Sequence, residues 1–165
     1  MRDDILIRLS GLTALVGGLL RVASASTIGM FDEHVLALSY FATDLMLVFG
    51  LTGIYLNHRS MVGFSGLVGL ATAISGLLMV RNADLFGGYQ TSAAVALLGT
   101  SILALMLLLR TAMRFAPLIW LAAFALGLAA TTVPLAGVAA GVAFGLGFAV
   151  AGGGQMLKPG HSPHK

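Results

Sequence analysis

Six apolar stretches follow one another along this chain, and the polar residues between them come in runs too short to form a domain. Each stretch approaches the roughly 20 residues that a helix needs to cross the hydrocarbon core of a bilayer. The pattern predicts helices over 5–26, 35–56, 62–80, 91–109, 118–133 and 135–151. Pro117 and Pro134 stand where the fifth and sixth would begin, a position at which the missing N–H costs little. The expected fold is therefore all-α: a polytopic integral membrane protein, one domain over residues 1–165, built as a compact bundle of six transmembrane helices. Ser10-Gly11-Leu12 and Gly18-Leu19-Leu20 in the first span match Ser65-Gly66-Leu67 and Gly76-Leu77-Leu78 in the third. A three-hairpin arrangement would account for that repeat, as would chance in so apolar a chain.

Composition agrees with lipid as the main solvent. Hydrophobic residues make up 58% of the chain and charged residues 9%, against about a quarter charged in soluble domains. The first 25 residues imitate a secretory signal, with Ala23-Ser24-Ala25 in place of a cleavage site. Asp3 and Asp4 near the start, and Arg8 and Arg21 within the apolar run, favour a retained span instead. With no cysteine, thiolate metal sites and cysteine nucleophiles are excluded.

Charge adds an orientation. With six spans, one side of the membrane holds Arg2, Arg8, Arg59, Arg110, Arg114, Lys158 and Lys165, seven of the nine basic residues. Arg81 falls on the other side and Arg21 within a span. The positive-inside rule then places both termini, including the polar tail 158–165, in the cytoplasm, with a bacterial inner membrane as the expected location. The pI near 9.8 does not point to nucleic acid, because the basic residues are scattered and form no patch.

Two ionisable residues inside spans are the candidate chemistry. Arg21 lies about six residues before the outer end of the first helix, and Asp44 about nine residues after the outer start of the second. At a rise of 1.5 Å per residue both sit some 9–14 Å below the same surface, so adjacent antiparallel helices would let them pair. Tyr40 and Tyr55 fall on the face of Asp44 and extend a polar seam inward. The pair is either a structural ion pair that locks the first hairpin or a substrate or proton site. The outer segments Met30–His34 and Arg81–Gln90 mix acidic and aromatic residues, and read as solvated turns with interfacial anchors.

The last span carries two stripes of small residues, Gly137, Gly141 and Gly145 on one and Ala139, Ala143 and Gly147 on the other. Small residues let helices approach closely in lipid, where hydrophobicity contributes little to association. The stripes serve packing within the bundle or a face for another subunit. Cofactors and metals are not expected: no lysine lies within a span, the histidines fall at edges or in the tail, and none of the common catalytic or metal-binding motifs occurs. In size and layout the chain resembles the substrate-binding components of energy-coupling-factor vitamin transporters, a likeness of layout that no motif carries. The expected role is non-catalytic: an accessory or structural subunit of a membrane complex or homo-oligomer, with lipid and other membrane subunits as partners. The alternative is a small-solute or ion transporter or binding component built around Arg21 and Asp44.

Overall fold

The computed structural model describes residues 2–26 and 33–157, all helical or in short turns. The helices are α1 (Arg2–Ser26), α2 (Glu33–Arg81), α3 (Tyr89–Arg110), α4 (Phe115–Ala129) and α5 (Pro134–Leu157), with a single 3-10 turn at Ala83–Phe86 between α2 and α3. Four of them, α1, α2, α3 and α5, are long and apolar enough to cross a bilayer. The tail 158–165 and most of the first outer segment, residues 27–32, lie outside the described residues.

Six separate helices are expected and, among the described residues, five are found. The difference lies in α2, which takes in both the second and the third predicted spans. The polar stretch Asn57–Ser60, expected as a loop, remains helical, and the direction of the chain changes a few residues later at Gly63. Gly63 has φ 59° and ψ −151°, a region that essentially only glycine occupies. The change of direction is a reversal. Asp44 lies 19 residues before Gly63 and Arg81 lies 18 after it, about 28 and 27 Å along their respective arms. Their side chains nevertheless meet at 3.2 Å, so the two arms of α2 run side by side and antiparallel.

Glycine and proline set the other corners. Gly87 and Gly88, at φ 80° and 98°, turn the chain from α2 into α3. Thr111 closes α3: its hydroxyl donates to the Leu107 carbonyl at 2.6 Å and accepts from the Met113 N–H at 3.1 Å. Pro117 sits in the first turn of α4 and Pro134 opens α5, where neither removes a helical hydrogen bond. At 15 residues, α4 is about 22 Å long and shorter than the predicted fifth span. α5 instead runs six residues past its predicted end at 151, to Leu157.

The helical legs pack through small residues. Across α1 and α5, a methyl on Gly18 would strike the Gly145 carbonyl, and one on Gly145 would lie 2.6 Å from the Gly18 carbonyl oxygen. Further along, Gly11 faces Gly152, so the two helices are antiparallel and the start of α1 lies beside the end of α5. Ala14 packs on Gly50 between α1 and α2, and Ala73 on Gly99 between α2 and α3. The neighbours in order are α1, the first arm of α2, its second arm, α3, α4 and α5, which closes on α1.

The two ends of this ring differ. Toward the end that holds Gly63, Leu47, Leu51, Ile54, Leu103, Leu107, Trp120 and Phe148 are fully buried. The Trp120 and Phe148 rings meet edge to face at 5.0 Å, and Phe144 meets Phe148 at 5.1 Å. Pairs of this kind contribute about 0.5–1.5 kcal/mol beyond their burial. The opposite end is not filled.

Candidate functional site

The unfilled end is a half-open vestibule of about 950 Å³, lined by residues from all five helices. Its charged and phenolic members are Arg21 from α1, Asp44, Tyr40 and Arg81 from α2, and Tyr89 from α3. Thr131 and Thr132 follow α4, and Gly137 and Gly141 line the wall from α5. Leu77, Leu97, Phe124, Leu128 and Phe144 make the rest of the surface largely apolar.

The salt bridge of Asp44 goes to Arg81 and not to the expected Arg21, whose charge nevertheless acts on Asp44. Asp44 is paired with Arg81, Nε to Oδ2 at 3.2 Å, with side chains 14% and 30% exposed. Both terminal nitrogens of Arg81 also donate to the Ala37 carbonyl at 3.3 Å, and its guanidinium sits 5.5 Å from the centre of the Phe41 ring. Arg81 is the last residue of α2, and its long side chain reaches across to the opposite arm. Arg21 and Asp44 both line the vestibule. Which arginine reaches the carboxylate is decided by the direction each helix face takes after the reversal at Gly63.

Arg21 is left with a phenol. Its Nη2 donates to the Tyr89 hydroxyl at 3.1 Å, and its Nε is buried without a hydrogen-bond partner. No carboxylate among the described residues lies within ion-pair distance of it. The charged residues among the described lining are therefore two guanidiniums and one carboxylate, which is bonded to Arg81 and attracted by both arginines. Among the described lining residues the balance is one positive charge.

Tyr40 lines the vestibule with Asp44, whereas Tyr55 packs against the filled half of the core and is not part of the wall. The sequence places Arg81 and Tyr89 in an outer segment and holds only a weak signal for them: each stands at the end of a helix, where a long side chain can turn back over its neighbours. The two small-residue stripes on α5 have separate uses. Gly145 meets α1, Gly147 lies against the Trp120 indole, and Ala143 packs against the core. Gly141 and Gly137 have room to spare: a methyl added at Gly141 would lie 3.7 Å from Ala25, and one at Gly137 would lie 3.5 Å from Ala130, both ordinary contacts. Ala139 is exposed.

Comparison with protein-family models, with curated proteins and with solved structures finds no match to this chain.

Proposed function

We propose that this chain is a membrane-embedded binding component for a small solute, and that the vestibule is its site. The observation that carries the reading is a cavity of about 950 Å³ that every helix helps to line and that holds Arg21, Asp44 and Arg81. Ligand sites in proteins are concave, mostly apolar, and carry a few convergent polar groups. Ionisable residues inside a membrane domain are functional candidates for the cost they impose. In this reading the two arms of α2 each cross the membrane, the chain makes six crossings, and both termini lie in the cytoplasm of a bacterial cell. The distribution of basic residues supports that orientation: Arg59, Arg110 and Arg114 belong to the end at which Arg110 reaches the Met61 carbonyl beside Gly63. The vestibule then opens outward. The role is binding or transport and not catalysis. A subunit role has less to rest on, because Gly145 and Gly147 are taken up inside the bundle by α1 and Trp120.

The chain has no cysteine, so each introduced thiol is a single reporter. Thr131→Cys, on the vestibule wall, should react with a membrane-impermeant thiol reagent added outside intact cells. Ser101→Cys, buried away from the vestibule, should not react. Labelling of Thr131→Cys only after the cells are permeabilised would reverse the orientation. No labelling under either condition would remove the vestibule as a solute site.

A further inference from the structure

We infer that the vestibule takes a monoanionic amphiphile, with its oxyanion head at Arg21 and its apolar body along Leu97, Phe124, Leu128 and Phe144. The inference rests on the reading of the vestibule as a solute site and names the ligand's chemistry. It begins with the unequal treatment of the two arginines. Arg81 has a carboxylate at 3.2 Å, a carbonyl at 3.3 Å and an aromatic face. Arg21 has one neutral hydroxyl, and its Nε is sealed from solvent without a partner. Arg21 is partly exposed and feels the charge of Asp44 without a salt bridge to it, so an anion arriving from the vestibule meets a guanidinium to which no carboxylate of the described residues is bonded.

Guanidinium geometry favours a planar or tetrahedral oxyanion. Its terminal nitrogens present parallel N–H donors that a carboxylate or phosphate accepts two at a time. The Tyr89 hydroxyl already receives Nη2 and holds the group in place, so less side-chain freedom is lost on binding. A cation has no equivalent position, because Asp44 is engaged by Arg81. The charge of the described lining residues balances one negative charge and not two. The rest of the lining is apolar, so a fully hydrated inorganic anion would forgo most of the available surface, whereas an aliphatic or aromatic body would use it. Such an anion can come from two sources, a free carboxylic acid or the head of an acidic lipid.

The test uses the full chain in phosphatidylcholine nanodiscs with radiolabelled octanoate as the probe. Octanoate should bind saturably and protect Thr131→Cys from thiol modification, and octylammonium at the same concentration should do neither. Arg21→Gln should weaken octanoate binding at least tenfold and lower the ligand-free melting temperature less than Arg81→Gln does, because Arg21 has no salt bridge among the described residues. Tyr89→Phe should weaken binding several-fold and gives a second reading if Arg21→Gln does not accumulate. Displacement of octanoate by phosphatidylglycerol added to the nanodiscs assigns the anion to a lipid head; displacement by soluble carboxylates and not by the lipid assigns it to a free acid. Equal protection by octanoate and octylammonium would overturn the anion inference and leave the solute site standing. Undiminished octanoate binding in both variants would also overturn it. A Thr131→Cys thiol that never reacts removes the underlying reading instead.

Discussion

The carboxylate of Asp44 has two guanidiniums near it and a salt bridge to one of them, Arg81 at 3.2 Å. Breaking a buried ion pair commonly costs 3–5 kcal/mol, and an exposed pair contributes about 1 kcal/mol or less. With side chains 14% and 30% exposed, this pair lies between those limits. Asp44→Asn should lower stability in detergent by about 1–3 kcal/mol. A double-mutant cycle of Asp44→Asn with Arg81→Gln should show a coupling of about 1 kcal/mol, and the cycle with Arg21→Gln a smaller one. Equal or larger coupling to Arg21 would mean that Arg81 is not the working partner. At this scale the sequence was legible in part. The rarity of charge within apolar stretches picks out Arg21 and Asp44, but rarity does not say which charges meet. Arg81 escaped because it stands at a helix end, where an arginine is ordinary.

Gly63 carries the largest structural consequence of any single position in an element. Without its reversal, α2 would be a rod of about 73 Å by the rise per residue, far longer than a bilayer is thick. No atom lies within 4 Å of the place where a side-chain methyl would sit, so an alanine there meets no steric obstacle. Its cost is conformational. Gly63→Ala should lower stability by about 1–3 kcal/mol, the cost of a non-glycine residue in this region of φ and ψ. Gly153, on α5, has equally open surroundings and no positive φ, and Gly153→Ala should be neutral or slightly stabilising because alanine is the better helix former. Thermal unfolding of the two variants beside the parent decides it; equal midpoints would show that α2 does not depend on the Gly63 conformation. Hydropathy alone places a break between the second and third stretches. It sets that break at the polar residues near His58, whereas the chain turns where the backbone has a glycine to turn with.

At the scale of the whole molecule, the six helical legs form a ring that is filled toward Gly63 and open toward the turn between α2 and α3. If each leg crosses the membrane, Arg59→Cys and Arg110→Cys should be protected from an impermeant thiol reagent in intact cells, and Asp84→Cys should react. The motivation is that Arg110 contacts the backbone beside Gly63, while Asp84 lies in the turn at the opposite end of α3. Arg59→Cys and Asp84→Cys labelling from the same side would end the six-crossing topology. The short α4, about 22 Å long, is accommodated in such a topology by its neighbours and by local thinning of the bilayer, at a modest cost per ångström.

The sequence by itself determined that this is an all-helical chain whose surface is suited to lipid, because 58% hydrophobic and 9% charged residues leave no polar coat to face water. It also determined the approximate ends of the apolar segments, which are a property of local composition. Tertiary structure decided that α2 doubles back at Gly63, that the salt bridge of Asp44 goes to Arg81, that Tyr55 lies outside the site, and that Gly145 and Gly147 of α5 serve α1 and Trp120. It also decided that one half of the ring remains open. Each of these depends on the azimuth of one helix against another. Azimuth is set by close packing of small residues such as Gly18 against Gly145, and in a segment apolar on every side the hydrophobic pattern carries little information about which face turns inward.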